Sequence, residues 1–401
     1  MKVSGLDVHK DTVFCGICDG KNKFIVEEFS TFTEDIRKLG LMLQNQNVKK
    51  IALESTGIYW IPVWNILEEM GFDLMLVNPY FIKQMPGRKS DVKDAQWIAT
   101  LLHKQLLRGS LVPDKRIREL RSYSRRYVKM TEMIHRSFQE MERILEQCNI
   151  RITSLASKNN SVSIKKVIKG IIDGKDSPEE LACFIHNRII NSKKEKVRLS
   201  LEGFVKDHHR FNLELVWQQY ELYQQQLLKV ESEMKRICHQ YYEEQMKLLQ
   251  TIPGIKEQST MQIISETGGD MNAFDNSGKI TGWAGLRPKN DESAGKFKST
   301  SITKGNKYLK RILVQCTWAM VRMKGTYYNI KYEQLCIRKS RKKALIAITR
   351  KLLTVIWNIL KYKQVYNPAI TPVINPEKIK NKMKYHMKEL EKLEQAGFSL
   401  S

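Results

Sequence analysis

No stretch of this chain is apolar for long enough to cross a bilayer. Its opening residues, MKVSGLDVHK, lack the apolar core of a signal peptide. A soluble, cytoplasmic protein without a membrane partner is therefore expected. Cysteine is sparse: seven residues, an odd number, are scattered along the chain. Cys15 and Cys18 form a lone C-x-x-C inside a strand-like segment, TVFCGICDG, and no second pair or histidine completes a zinc site. They read as reduced core cysteines of a reducing compartment. Acidic side chains are scarce in one region above all. Residues 287–363 carry only three, against 20 Lys and Arg.

What is present points to nucleic acid. Lys and Arg total 68 against 43 acidic residues, a formal charge of +25. Such an excess suits a polyphosphate partner better than an anionic membrane surface. Residues 1–112 are nearly neutral, with 14 basic and 13 acidic side chains, so the phosphate-binding surface is expected toward the C-terminus. At 401 residues and 42% hydrophobic content, the chain can hold two or three domains with sizeable cores.

The first 112 residues alternate in a recognisable order. Val3–Val8, Thr12–Cys18 and Phe24–Ser30 read as strands joined by polar turns. A helix over Glu34–Gln44, the strand Lys50–Glu54, a helix ending near Gly71 and the strand Phe72–Val77 follow. A further helix opens near Ser90, with Ala95, Ile98, Ala99 and Leu102 at helical spacing. Three antiparallel strands, then helix, strand, helix, strand and helix, describe an α/β layer fold of the ribonuclease H type.

Four carboxylates stand at informative places in that order. Asp7 lies near the end of the first strand and Glu54 at the end of the fourth, while Asp91 and Asp94 share one face of the first turn of the last helix. Groups outside strand ends converge in α/β sheets. Carboxylates that close repel unless a cation sits among them, and Mg²⁺ takes such hard oxygen ligands. Helix capping is the alternative for Asp91 and Asp94, and solvated strand ends for Asp7 and Glu54.

Beyond Ile117 the chain turns to long helices. Leu213, Val216, Tyr220, Tyr223, Leu227, Val230, Met234, Ile237 and Tyr241 alternate spacings of three and four, a coiled-coil pattern. An antiparallel hairpin with Tyr127–Glu146 and a dimer seam would satisfy it equally. Pro253-Gly254 marks a tight turn between helices, resembling a helix-hairpin-helix, although Lys256 stands where a second glycine is usual. Ser293 lies in the loop Asn-Asp-Glu-Ser-Ala-Gly, with Lys296, Lys298 and Lys304 nearby, and it is either a nucleophile or an inert turn residue. A basic helix with Lys307 and Arg311 follows, and then the run Arg338–Lys343 with Arg341, Lys342 and Lys343. These lysines and arginines are the candidate nucleic-acid contacts. The division expected is 1–112, an α/β domain; 113–248, a helical linker; 249–366, a C-terminal, mostly helical domain; and 367–401, a tail helix.

The stretches GLDVHK (5–10), LESTGIYW (53–60), VNPYFIKQMPGRKSDVKDAQWIATLL (77–102), DHHRF (207–211), IPGI (252–255), GWAGLRPKNDESAGK (282–296) and KGTYY (324–328) carry a family likeness. The chain resembles transposases of the insertion-sequence-110 family, the DEDD recombinases related to the Piv invertase. The resemblance implies a RuvC-like N-terminal domain, a coiled-coil linker and a C-terminal serine domain. It places the Asp-Glu-Asp-Asp set on Asp7, Glu54, Asp91 and Asp94, holding Mg²⁺, and the serine nucleophile on Ser293. It further implies double-stranded DNA as substrate, a structured non-coding guide RNA, and a dimer or tetramer with a composite active site, in a prokaryotic, nucleoid-associated setting. Lys256, and Thr349-Arg350 where relatives often have histidine, depart from the pattern. A metal-dependent, structure-specific endonuclease using only the carboxylates is the enzymatic alternative, and a non-catalytic nucleic-acid-binding protein is the other.

Overall fold

The computed structural model describes residues 2–20, 24–55, 57–79, 91–155, 162–289, 291–293, 296–299, 301–368 and 376–395. They form two compact units, Met1–Pro113 and Asp114–Ser401. No helix among the described residues is long and apolar enough to cross a membrane.

The first unit is built on a five-stranded sheet of β1 (Val3–Val8), β2 (Thr12–Cys18), β3 (Phe24–Ser30), β4 (Lys50–Glu54) and β5 (Asp73–Val77), in the order β3-β2-β1-β4-β5. The first three strands are antiparallel, and β4 and β5 add in parallel beside β1. This is the ribonuclease H-type arrangement that the element order predicts. β1 is central and every residue of it is buried, as expected of a strand covered on both faces.

Strand alternation divides the apolar residues between two layers. Leu6, Val8, Val13, Cys15, Ile51 and Leu53 join Leu39, Leu43, Val63 and Leu67 of helices α1 (Thr33–Asn45) and α2 (Trp60–Glu69). Val3, Cys18, Ala52 and Val77 instead meet Ile98, Ala99 and Leu102 of α3 (Asp91–His103). Cys15 and Cys18 therefore serve opposite faces of the sheet, which rules out a shared metal or a disulfide. All seven cysteines are free, and burial pushes the Cys15 thiol up to about 12.

In the second unit α4 (Lys115–Gln147) packs against α8 (Asp207–Tyr241). The Arg116 guanidinium lies 4.3 Å from the centroid of the Tyr241 ring, and the Phe138 and Tyr220 rings are 6.4 Å apart. Contacts thus run backward along one helix as they run forward along the other, so the pair is antiparallel and lies within one chain. Between them come α5 (Val162–Ile172), α6 (Pro178–Ala182) and α7 (Asn187–Leu201). Ile164, Val167, Ile168, Leu181 and Leu201 from these helices share an apolar cluster with Phe138, Met141, Leu145 and Leu213 of the long pair.

After α9 (Glu243–Gln250) a turn at Pro253-Gly254 leads into α10 (Glu257–Thr267). Gly254 has φ +82°, and a Cβ there would meet Met320 and the Cys316 carbonyl, so the turn is seated on a neighbouring helix. That neighbour is α12 (Lys307–Val321), which follows α11 (Ser277–Trp283) and precedes α13 (Tyr327–Cys336), α14 (Arg341–Tyr362) and α15 (Pro376–Gln395). A two-stranded ribbon, β6 (Asp291–Ser293) and β7 (Lys296–Ser299), separates α11 from α12.

Candidate functional site

Parallel pairing of β1 with β4 sets Leu6 opposite Leu53, so the next residues, Asp7 and Glu54, leave the two strands side by side. Both point away from the α1/α2 layer, because their neighbours Leu6 and Leu53 fill it. Asp7 is only 5% exposed and Glu54 8%. Asp94, completing the first turn of α3, is half-buried.

Two glycines bring that turn to the sheet. Gly5 and Gly16 face each other across β1 and β2. A Cβ on Gly5 would stand 2.3 Å from the Ala99 nitrogen and 2.6 Å from the Ala95 oxygen, and one on Gly16 2.8 Å from the Ala95 carbonyl carbon. α3 therefore lies in a notch that no side chain could share, with its small residues Ala95 and Ala99 inward. The seating holds Asp94 near enough to Asp7 to act on its charge. We expect Gly5→Ala to lower the unfolding free energy of the chain by roughly 1–3 kcal/mol, since only backbone can yield. Urea unfolding followed by circular dichroism measures it, and a change below about 0.5 kcal/mol would mean α3 is not held by this notch.

The carboxylates act on one another electrostatically. The Asp7 carboxyl is raised from 3.8 to about 6, first by burial, with the negative charges of Glu54 and Asp94 adding to it. His9 opposes the shift: its Nε2 lies 3.2 Å from Asp7 Oδ2. Buried hard-oxygen donors that repel one another suit a divalent cation. Among the described residues no three His, Cys, Asp or Glu side chains stand at metal-holding distance. Asp91 begins α3, but its side chain lies outside the described residues.

Ser293 ends β6 and pairs with Lys296, the first residue of β7. The side chains of Ser293, Lys296 and Lys298, and Thr300 altogether, lie outside the described residues. The base of the ribbon is well defined. Lys289 N donates to the Ser301 oxygen at 3.0 Å, Thr303 N to the Arg287 oxygen at 2.9 Å, and Asn306 N to the Trp283 oxygen at 3.2 Å. Gly285, at φ +71°, and Gly305 abut backbone to backbone at its foot.

That foot is fastened by a residue the sequence reading missed. Glu266, 1% exposed, closes α10. Arg125 Nε and Nη2 donate to its two oxygens at 3.0 and 3.1 Å, and Asn306 Nδ2 donates to Oε2 at 2.7 Å. Arg121 Nη2 donates to the Glu266 carbonyl at 2.8 Å. Asn306 in turn accepts from Tyr308 N and Leu309 N, capping α12. One buried carboxylate thus ties α4, α10 and the start of α12 to the ribbon's return strand. A glutamate among the buried residues Ile263, Ile264 and Thr267 was the available signal.

The remaining candidate cations are scattered over the second unit. Lys304 is exposed before α12, and Lys307 and Arg311 lie on its first turns. Arg341, Lys342 and Lys343 form the exposed first turn of α14.

Residues 4–150 match the family model of DEDD transposases of IS110 elements, and residues 246–332 match the model described as transposase IS116/IS110/IS902 family. The transposase of insertion sequence element IS1111A from Coxiella burnetii is 21% identical over 380 residues, 91% of each chain. An uncharacterized 42 kDa protein of insertion element IS900 from Mycobacterium paratuberculosis is 30% identical over 131 residues, 31% of this chain and 32% of that one. Among solved structures, Thermus thermophilus RuvC aligns with 27% of this chain and all of its own, at 16% identity and a TM-score of 0.22. RuvC in complex with a Holliday junction substrate aligns over the same share, at 14% identity and a TM-score of 0.21.

Proposed function

Because the chain belongs to the IS110 family of transposases, we propose that it excises and inserts an insertion sequence by DNA strand exchange through a covalent serine intermediate. One observation carries the reading: Asp7 and Glu54 leave adjacent parallel strands together, buried, with Asp94 near enough to raise Asp7. A buried cluster of like charge is costly for a fold and marks a site where charge is used.

In this reading Asp7, Glu54, Asp91 and Asp94 hold a divalent ion, Mg²⁺ being the one suited to phosphate work. When bound, such an ion supplies positive charge to the oxygens of the phosphate under attack. Ser293 Oγ bonds to phosphorus as one phosphorus–oxygen bond to deoxyribose breaks, and the departing oxygen takes up a proton. Attack by a hydroxyl of the exchanged strand then restores both the phosphodiester and the serine. Bond energy is conserved through the serine ester, so strands join without an outside energy source. Lys296, Lys298, Lys304, Lys307, Arg311, Arg341, Lys342 and Lys343 would engage phosphates. The carboxylates and the serine belong to different units of the chain, and the family likeness suggests that they meet in a dimer or tetramer. The same likeness suggests a structured non-coding RNA as guide.

The test is to incubate the protein, Mg²⁺ and DNA carrying the element's ends, and to stop with denaturant. A DNA-linked protein band that protease removes is the expected result. Cleaved DNA with no linked protein would replace this reading with that of a carboxylate-only endonuclease, and uncut DNA with that of a binding protein.

A further inference from the structure

The second unit has a groove of about 640 Å³ between α4 and α12. Arg125, Lys129, Glu132 and Arg136 recur along its α4 wall at spacings of four, three and four, and Arg126 stands beside them. Lys307, Tyr308 and Arg311 form the opposite wall. None of the α4 residues was among the contacts expected from sequence, because that reading looked for basic charge toward the C-terminus.

The charges there are not arranged as on an ordinary solvated helix. Arg125 is engaged by Glu266, and Arg311 by Glu132, the single acid in the lining. Among the described residues no ion pair holds Arg126, Lys129, Arg136 or Lys307, and the four are exposed. Further along, the same stretch of chain behaves differently: Arg143 pairs with Glu140, and Arg151 with Glu146 at 3.3 Å. Like charges at helical spacing repel, so a run without ion pairs along a groove wall calls for an outside anion. Arg125 to Arg136 spans roughly 16 Å of helix, about the rise of five base pairs, which suits an extended anion rather than a single phosphate group. The Arg125 guanidinium and the Lys307 ammonium lie 4.6 and 5.2 Å from the centroid of the Tyr308 ring, a contact that joins the two walls.

The geometry points to this groove as a second seat for a nucleic-acid backbone, in which Arg126, Lys129 and Arg136 of α4 and Lys307 of α12 contact phosphates at the foot of the serine ribbon. It rests on the reading of the chain as a nucleic-acid recombinase and adds the face that holds the phosphate chain. The Glu132–Arg311 pair joins the walls and withholds one cation from the ligand.

Binding of a labelled DNA duplex, and of an RNA duplex of the same sequence, to the full chain by fluorescence anisotropy over a range of salt tests the inference. The triple variant Arg126→Ala, Lys129→Ala, Arg136→Ala keeps good helix formers on an exposed face, so it should fold as the parent does. It should weaken binding roughly a hundred-fold and lower the slope of log affinity on log salt by about 2 to 3. Glu132→Gln should tighten binding several-fold. Loss on DNA alone or on RNA alone supports the groove and names its ligand. An unchanged triple variant, an equal loss from Lys166→Ala, Lys169→Ala, Lys175→Ala, or a wild type that binds neither duplex would overturn it. Asp7→Asn keeps the two readings apart. If that variant still exchanges strands while the triple variant loses binding, the catalytic reading fails and the groove stands.

Discussion

Ser293→Ala is expected to abolish both the protein–DNA adduct and strand exchange, by a factor on the order of 10⁴ or more. The size follows from the chemistry. Alanine removes the only atom proposed to bond to phosphorus, and water in its place yields hydrolysis, not exchange. The backbone argues that the loss will be local. Ser293 contributes to the ribbon through its main-chain pairing with Lys296, which alanine keeps. Nearby hydroxyls provide the control: Ser299→Ala and Ser301→Ala should still form the adduct. An adduct in Ser293→Ala that disappears in one of these would move the nucleophile there. Gel mobility after denaturation, and mass spectrometry of the linked peptide, distinguish the outcomes.

Asp7→Asn should also damage activity, by roughly 10³-fold or more, and should at the same time stabilise the metal-free chain. The sign follows from linkage. The Asp7 carboxyl titrates near 3.8 unfolded and about 6 folded, so the fold prefers the protonated form. Its contribution is fully present below the unfolded value and is lost as pH rises through the folded one. The total is on the order of 3 kcal/mol. Asparagine keeps the size of the side chain and carries no charge, so in a chelator the variant should equal the wild type at acid pH and exceed it above neutrality. Added Mg²⁺ should stabilise the wild type alone. Urea unfolding at pH values on both sides of 6 measures the difference. A wild type whose stability does not fall across that range would show that Asp7 is not held in a charged, dry cluster.

Much of the first unit was legible because its signals are local and periodic. The alternation in Thr12–Cys18 and the spacing of Ala95, Ile98, Ala99 and Leu102 each fix an element without outside help. Seeing Asp7 and Glu54 as neighbours needed one further step, the order of the strands. The helical seam from Leu213 to Tyr241 was equally plain, but its partner was not. Periodicity states that a face will be buried and leaves open against what, and the structure answers with α4 of the same chain.

What escaped sequence reading is non-local. Gly5 and Gly16 are unremarkable in the sequence, and only their register across two strands reveals the notch that seats α3. Glu266 and Arg125 are 141 positions apart, so nothing in either neighbourhood announces their bidentate pair. The unpaired cations of α4 were hidden in a helix whose overall composition is mixed. In each case the informative quantity is which groups meet a partner in space and which do not.

The antiparallel run of α4 and α8 has a consequence for how such a chain can vary. The two helices hold 33 and 35 residues, with the Glu266 bracket near one end and the apolar cluster of α5, α6 and α7 at the other. Removing or adding seven residues in both helices would keep every side chain on its face and move one end by roughly 10 Å relative to the other. The pair is a ruler cut in heptads. Heptad insertions or deletions made in both helices therefore change the separation of the two ends while leaving the Glu266 bracket untouched.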